Sequence, residues 1–269
     1  MPTLKNGTVI VIGNRKGGVG KTSASLGISS ELAARDRSVL LVDLDPQGTL
    51  TTFAGINPNA LPAEVSTLAA LLPEQFSSNM NTVAQRTPWG ADIWPAGPAL
   101  AQAEAQLSGA VGLHSRLQSA LRKLDKHYDY VLVDSPPSVG NLVFNGMGAA
   151  DYLMVPVSCD LASVGGVDQM LRTLALFREH VNNELDLLGV FVTMKRPTLH
   201  ASESLEFLRE RMPEHVFEAT VPMTVVVQDA QANHQAVRQF RPTHAAAQAY
   251  SDITDEMLRR LQTAVAQAA

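Results

Sequence analysis

Short apolar runs alternate along the chain with segments in which hydrophobic positions recur at helical spacing. The runs are short and carry few polar positions, which is typical of strands buried on both faces of a parallel sheet. They predict strands at residues 9–12, 38–42, 91–97 (including a turn), 128–134, 151–157, 187–193 and 216–221. The helical spacing predicts helices at residues 25–35, 66–72, 98–107, 112–126, 161–180, 202–212 and 251–268.

This alternation of strands and helices predicts an α/β fold, with a predominantly parallel twisted sheet flanked by helices on both faces. No Ser/Gly-rich linker and no internal repeat interrupts the pattern, so residues 1–269 are expected to form a single domain. Residues 50–87 carry mixed loop and helix signals, and they predict no function.

A glycine-rich stretch separates the first predicted strand from the first predicted helix, and it reads Lys16-Gly17-Gly18-Val19-Gly20-Lys21-Thr22. Because glycines have no Cβ, successive backbone N–H groups can turn inward and approach a phosphate closely. The helix that follows points its positive end at the same place. In this geometry Lys21 reaches the β- and γ-phosphates, and the Thr22 hydroxyl binds Mg²⁺. The alternative is a flexible glycine turn between a strand and a helix.

Carboxylates follow two other predicted strands. Asp43 and Asp45 are separated by one residue, so in an extended chain both point to the same side and can face a Mg²⁺ ion and an attacking water. Asp134 ends a uniformly apolar strand, which is the form of a Walker B element whose carboxylate holds Mg²⁺. The alternatives are capping and turn roles, and Asp45-Pro46 is itself typical of a turn start.

Composition and charge exclude several classes of protein. The 269 residues are 45% hydrophobic and 17% charged, which is typical of a globular domain. The net charge of −5 argues against a constitutively basic nucleic-acid binder, although a local patch on a dimer could still bind DNA. The single cysteine, Cys159, excludes an internal disulfide. Residues 1–7 show no signal-peptide pattern and no run approaches the ~20 apolar residues that span a bilayer, so the expected location is cytoplasmic.

The phosphate loop departs from the plain P-loop pattern. Position 15, where that pattern has its first glycine, is Arg15, and a second lysine, Lys16, precedes the glycines. This form resembles the deviant Walker A motif of the ParA/MinD family of ATPases, and the likeness spans nearly the full chain. It is closest to ParA-type partition ATPases without an N-terminal DNA-binding domain. Further short stretches that resemble the ParA branch lie at residues 94–98, 189–194 and 247–250.

The resemblance implies a role for each matching residue, with ATP and Mg²⁺ as cofactors. The catalytic residues are expected to be Lys16, which reaches the phosphates of a partner chain, Lys21, and Asp45, which orients the hydrolytic water. The expected Mg²⁺ ligands are Thr22, Asp43 and Asp134. The residues expected to contact ATP are Lys16, Gly17, Gly18, Val19, Gly20, Lys21, Thr22, Ser23, Met194, Pro222 and Met223. A solvated surface position is the alternative for Lys16. Pro222 and Met223 are expected to lie against the adenine base, and ordinary packing is the alternative for both.

The same resemblance implies an ATPase that is slow without an activator and forms an ATP-sandwich homodimer. It also implies non-specific binding to nucleoid DNA, and stimulation by a ParB-like partner during plasmid or chromosome segregation. Two departures concern DNA, because residues 222–226 lack the family's usual arginines and residues 243–245 lack a basic pair. The remaining basic candidates, each with a solvated surface as an equal alternative, are Lys195, Arg196, Arg238, Arg241, Arg172 and Arg178.

Three other functions stay open at this point. A positioning protein for another intracellular cargo would keep the nucleotide site and bind DNA weakly or not at all. A MinD-like membrane-associated ATPase needs a terminal amphipathic helix, whereas only residues 258–261 have that character here, so no stable membrane association is expected. A metabolic or metal-trafficking P-loop enzyme would be expected to show a cysteine cluster or a substrate site, and one cysteine does not supply it.

Overall fold

The computed structural model describes residues 7–76, 79–108, 112–138, 140–159 and 161–268, and within these ranges it describes the side chains of all but residues 161–170 and 268. The strands of this part of the chain are β1 (Thr8–Ile12), β2 (Val39–Asp43), β3 (Gln85–Arg86), β4 (Asp92–Trp94), β5 (Tyr130–Asp134), β6 (Tyr152–Ser158), β7 (Asp186–Lys195) and β8 (Val216–Pro222). They form one sheet in the order β3-β4-β2-β5-β1-β6-β7-β8. Every pair is parallel except β3 with β4, so the predicted fold class is confirmed.

The helices of the described residues fill the connections between these strands. They are α1 (Lys21–Ala33), α2 (Thr49–Phe53), α3 (Thr67–Leu71), α4 (Met80–Val83), α5 (Leu100–Gln106), α6 (Arg116–Leu121), α7 (Asn141–Ala149), α8 (Leu161–His180), α9 (Leu199–Arg211), α10 (Val225–Ala232), α11 (Val237–Phe240) and α12 (Ala245–Ala268). Short 3₁₀ turns lie at Pro58–Ala60, Ala63–Val65 and Leu113–Ser115. Within the described ranges, no helix combines the length and apolar character needed to cross a bilayer.

The sheet has a hydrophobic core on each face, and the strands contribute to both cores because their successive side chains point to opposite sides. In β1, Val9 and Val11 belong to a core that includes residues of α3, α5, α6, α7 and α9. Ile10 and Ile12 belong to a second core that includes residues of α1, α10, α11 and α12. The strands therefore read as continuous apolar runs in the sequence, since both faces are buried.

Three central strands bring the candidate residues to one edge of the sheet. β5 lies between β1 and β2, and all three run in the same direction. The register pairs Ile12 with Asp134 and Asp43 with Asp134. Because parallel strands end at the same edge, the glycine-rich loop after β1 meets both carboxylates there, which is where open α/β sheets bind ligands.

Several element boundaries differ from the sequence prediction. The helix predicted from residue 25 begins at Lys21, directly after Gly20, whose φ of 81° turns the chain into the helix. The helix predicted over residues 112–126 is a 3₁₀ turn followed by the short α6. The last helix begins at Ala245 instead of residue 251. The strand β3 and the helices α2, α4, α7, α10 and α11 were not predicted at all.

Candidate active site

The glycine-rich loop connects β1 to the first residue of α1. Gly18 and Gly20 have φ values of 72° and 81°, in the left-handed region that favours glycine. A Cβ built on Gly18 would meet no heavy atom within 4 Å, so the loop borders open space at this residue. Among the described residues, the backbone N–H groups of Gly17, Gly18 and Gly20 donate no hydrogen bond to the protein. The loop therefore offers donors beside an open cradle, as a bound phosphate requires.

Lys21, the first residue of α1, brings a positive charge to this cradle from a buried position. It is only 6% exposed, and its Nζ donates a hydrogen bond to the carbonyl oxygen of Lys16 at 3.2 Å. Burial lowers the pKa of the Lys21 ammonium, while the charges of Asp134 and Asp45 oppose that effect. A phosphate beside Lys21 would add a further negative charge and favour the ammonium form.

Asp134 and Thr22, two of the expected Mg²⁺ ligands, are hydrogen-bonded to each other. The Asp134 carboxylate accepts hydrogen bonds from the Thr22 hydroxyl at 2.8 Å and the Ser25 hydroxyl at 3.1 Å. Burial, together with the nearby charge of Asp43, raises the pKa of Asp134 to about 8. Mg²⁺ prefers one or two carboxylates completed by hydroxyls, waters and nucleotide phosphates, so this pair fits the ion.

Asp43 organises the turn that follows β2. Its Oδ1 accepts the N–H of Asp45 at 3.0 Å, and its Oδ2 accepts the N–H of Thr51 at 3.0 Å and the Thr51 hydroxyl at 2.7 Å. The side chain is fully buried, and burial raises the pKa of Asp43 to about 6. These bonds fix the position of the segment that carries Asp45, while coordination of Mg²⁺ by Asp43 stays a prediction.

Asp45 is half-buried in that turn and starts it. Its Oδ1 accepts the N–H of Gln47 at 2.9 Å, the pattern of an aspartate that begins a turn. The same side chain is close enough to Lys21 for its charge to raise the pKa of that ammonium. The geometry thus shows the turn role, while orientation of a hydrolytic water by Asp45 stays a prediction.

Lys16 lies at the mouth of the same loop, with an exposed side chain. Its backbone N–H is bonded to the Oδ1 of Asn14 at 3.0 Å, and its Nζ lies 3.4 Å from the hydroxyl of Ser158. Ser23, in the first turn of α1, accepts a hydrogen bond from Gln231 at 2.8 Å. Its hydroxyl is directed toward α10, so a contact of Ser23 with ATP stays a prediction.

Three residues that are expected to contact ATP, Met194, Pro222 and Met223, come together at the ends of β7 and β8. Met194 is half-buried with a left-handed φ of 50°, and the N–H of Met223 donates to the carbonyl of Lys195 at 3.0 Å. Pro222 is half-buried and Met223 is 52% exposed. These side chains lie at the same edge of the sheet as the phosphate loop, so the structure permits a base contact.

Four hydroxyl or amide side chains at this edge were missed by the sequence prediction: Ser25, Thr51, Thr193 and Gln231. Ser25 could have been found, because it lies three residues after Thr22 and therefore shares its face of α1. Thr193 and Gln231 act through contacts with residues distant in sequence, such as the bond from Gln231 to Ser23, and Thr51 contacts Asp43 eight residues earlier in the chain. No local pattern marks them.

Comparison with known proteins places this geometry in a family. The family model described as an AAA domain matches residues 7–187. The chromosome-partitioning ATPase Soj of Thermus thermophilus is 36% identical over 95% of this chain and 97% of its own length. The chromosome partitioning protein ParA of Caulobacter vibrioides is 33% identical over 97% of both chains. The chain belongs to the ParA/MinD family of ATPases.

A solved structure extends the comparison to the ligands of this family. Cobyrinic acid a,c-diamide synthase from Mycobacterium smegmatis, with bound ADP and magnesium, has a TM-score of 0.83 and 34% identity, and the match covers 96% of each chain. A second structure of that protein holds an ATP analogue and magnesium. The chain described here is an ATPase, and ATP and Mg²⁺ are its cofactors. The residues that hold them in this chain stay predictions, supported by the geometry above.

Binding of Mg²⁺ with nucleotide is expected to release a proton near neutral pH. With its pKa raised to about 8, Asp134 holds a proton at pH 7 before the ion arrives, and the ion favours the carboxylate. Up to about one proton per site should leave at pH 7, and fewer above pH 9. Isothermal titration calorimetry of Mg·ADP in two buffers of different ionisation enthalpy measures this number.

The variant Asp134→Asn is the control, because it removes the titrating group and should abolish the Asp134 contribution. Equal heats in both buffers at pH 7 for the unmodified protein would contradict the assignment.

The raised pKa of Asp134 also determines how the free energy of unfolding depends on pH, since the folded protein without nucleotide binds this proton more tightly than the unfolded chain. The contribution of Asp134 to the free energy of unfolding falls as the pH rises from its ordinary pKa of 3.8 to about 8.

Proposed function

We propose that this ATPase works as a ParA-like partition protein. ATP joins two copies into a homodimer in which Lys16 of each chain reaches the phosphates held by the other. The dimer binds DNA without sequence preference, and a ParB-like partner stimulates hydrolysis during plasmid or chromosome segregation. One observation carries the proposal: a single loop presents one buried lysine, Lys21, at 6% exposure, and one exposed lysine, Lys16.

The different environments of the two lysines favour different tasks. Lys21 lies under the cradle and serves the phosphates of its own chain. A second cation is not needed for the turn, and the side chain of Lys16 is exposed, so the nucleotide of a facing chain could reach it. Positive charge added from that side would stabilise the negative charge that develops during phosphoryl transfer. The names of the Thermus and Caulobacter relatives support a role in chromosome partition.

The candidate DNA contacts divide by their surroundings. Arg178 pairs with Asp186 at 2.8 Å and Arg238 pairs with Glu31 at 2.9 Å, so their charges are already compensated. Arg172, Arg196 and Arg241 are exposed. Lys195 ends β7 and Arg196 follows it, at the edge that carries the phosphate loop, so a dimer formed across that edge would bring both copies of this basic pair to neighbouring surfaces. With a net charge of −5, the expected binding is weak and sensitive to salt.

Co-sedimentation with DNA at low salt tests the proposal. The unmodified protein should pellet with DNA only in the presence of ATP, and should remain in solution with ADP or without nucleotide. Lys16→Ala should lose this ATP-dependent binding together with the dimer, because the dimer depends on contact between Lys16 and the partner's nucleotide. Light scattering on the same samples reports the dimer directly.

Arg15→Ala is the matched control, because it removes an exposed cation next to Lys16 and should retain ATP-dependent DNA binding. An ATP-dependent dimer that binds no DNA at low salt would instead support a positioning protein for another cargo. Absence of both dimer and DNA binding in every nucleotide state would refute the proposal.

The membrane-associated alternative is disfavoured by the packing of the last helix. Leu261 is buried at 7% exposure in the core beside α1, and Leu258 packs partly against the same core. These two residues carry the amphipathic character of the predicted 258–261 segment, and they contact the protein itself. A membrane helix would present such side chains outward.

The metabolic alternative corresponds to the name of one similar protein, since the Mycobacterium smegmatis protein is called a synthase. The described residues contain no group of three or more His, Cys, Asp and Glu side chains placed to hold a metal ion. Partition therefore remains the function that the site and the curated relatives support best.

A further inference from the structure

A side chain of β7 holds the phosphate loop from outside the cradle. The hydroxyl of Thr193 lies 2.7 Å from the carbonyl oxygen of Val19 and 3.2 Å from that of Val157. Thr193 is 2% exposed, and its side chain also lies 3.6 Å from the position of a Cβ on Gly20. This hydroxyl therefore fixes the direction of the Val19 carbonyl, one residue before the left-handed Gly20.

A second side chain holds the first turn of α1. Gln231, on α10, donates from its Nε2 to the hydroxyl of Ser23 at 2.8 Å, and it is 8% exposed. Ser23 follows Lys21 and Thr22, which carry the phosphate and Mg²⁺ roles. The amide of Gln231 thus acts on the same turn that presents those two residues to the nucleotide.

These two hydrogen bonds lie at either end of the segments that carry Met194 and Met223, which are expected to contact ATP and which form the base side of the site in this proposal. Thr193 directly precedes Met194, and Lys195 accepts the N–H of Met223 at 3.0 Å. The next residue, Thr224, caps α10 by accepting the N–H of Val226 at 3.2 Å. α10 then leads to Gln231. Hydrogen bonds and the chain segments between them therefore connect the phosphate loop, through Met194 and Met223, to the first turn of α1.

We propose that Thr193 and Gln231 are positioning residues that couple the base side of the nucleotide site to its phosphate loop. Occupation of the base side would restrain Met194 and Met223, and the two bonds pass that restraint to Val19 and Ser23. The left-handed φ of 50° at Met194 supports this reading, because a non-glycine residue keeps such a conformation only where its surroundings determine it.

The proposal rests on ATP binding and on the predicted base contacts, and it needs neither the dimer nor DNA. Two sites that restrain one another bind a ligand spanning both more tightly than the separate parts would suggest. Removing either hydrogen bond should therefore weaken the binding of a complete nucleotide, while the binding of a ligand that occupies only the phosphate loop should stay nearly unchanged. Mg²⁺ with inorganic pyrophosphate is such a ligand.

The variants Thr193→Val and Gln231→Leu remove each donor while nearly keeping its volume. Calorimetry of the full chain with Mg·ADP should show Kd raised by about five- to tenfold in each variant, the effect of losing one hydrogen bond. Kd for Mg·pyrophosphate, measured alone or by displacement, should change by less than about twofold. Thr193→Ser keeps the hydroxyl and should restore ADP binding.

Thr254→Val and Gln248→Leu are matched controls. Thr254 is fully buried and donates to the carbonyl of Tyr250 at 2.7 Å, and Gln248 donates to Asp252 at 2.8 Å, both on α12. Neither control should change either Kd. If the Kd values for ADP and pyrophosphate rise equally, the two hydrogen bonds only shape the loop and the coupling is refuted. An unchanged Kd for ADP refutes it too. Should Thr193→Val fail to fold, Gln231→Leu alone decides, and a failure of DNA binding leaves these measurements unaffected.

Discussion

Asp45→Ala should bind Mg·ATP with nearly unchanged affinity and lose ATP turnover by about a hundredfold or more, the usual size of a lost contact to the reacting water. Asp45 lies in the turn after β2, close enough to Lys21 for its charge to raise the pKa of that ammonium. The carboxylate is held there by the bonds around Asp43, so it costs little reorganisation to orient a water. Steady-state phosphate release, with nucleotide affinity measured in parallel, checks both parts.

Asp45→Asn separates this role from the turn that Asp45 also starts. An asparagine Oδ1 can still accept the N–H of Gln47, so the turn survives while the negative charge is lost. Turnover should fall in Asp45→Asn nearly as far as in Asp45→Ala. If Asp45→Asn keeps full turnover, the residue is a turn former only and the catalytic assignment is wrong.

The strands were predictable because their surroundings are simple. The predicted strands at residues 38–42 and 216–221 agree with β2 (Val39–Asp43) and β8 (Val216–Pro222) to within one residue at each end. β2 is a central strand and is buried on both faces, so hydrophobicity alone marks it. β8 lies at the end of the sheet and is marked by its buried apolar residues Val216, Phe217 and Val221. The antiparallel β3 has only two residues, which is too short to carry a pattern.

The helix α7 shows where local patterns fail. Gly146 and Gly148 lie within its nine residues and lower its helix propensity. The packing explains them, because a Cβ on Gly146 would lie 3.1 Å from Leu44 and one on Gly148 would lie 2.1 Å from the carbonyl oxygen of His114. The glycines allow α7 to lie close against its neighbours, and burial of its remaining side chains stabilises the helix despite them.

In the candidate site, likewise, some residues could be predicted from the local sequence and others could not. Lys21, Thr22 and Asp134 follow from motifs, since each lies at the end of a strand or the start of a helix. The supporting bonds of Thr193 to Val19 and of Gln231 to Ser23 join positions 174 and 208 residues apart. Such contacts depend on how the sheet and its covering helices assemble, and no residue pattern near either partner encodes them.

The two lysines of the loop should differ strongly in how much each contributes to nucleotide binding by the monomer. Lys21→Ala is expected to weaken Mg·ADP binding by about a hundredfold, because a hydrogen bond between charged groups contributes roughly 1.5–3 kcal/mol. The free energy of unfolding of the nucleotide-free protein should not fall, since burial already disfavours the charge of Lys21 and lowers its pKa. Calorimetry with Mg·ADP and thermal unfolding without nucleotide measure the two effects.

Lys16→Ala is the comparison that gives this result its meaning. Its side chain is exposed and is proposed to serve the nucleotide of a second chain, so Mg·ADP binding to the monomer should change by less than about threefold, as expected where no direct contact is lost. Losses of similar size in both variants would mean that Lys16 also holds the phosphates of its own chain. In that case one chain would supply both lysines to its own nucleotide, and the proposed dimer would lose the observation that supports it.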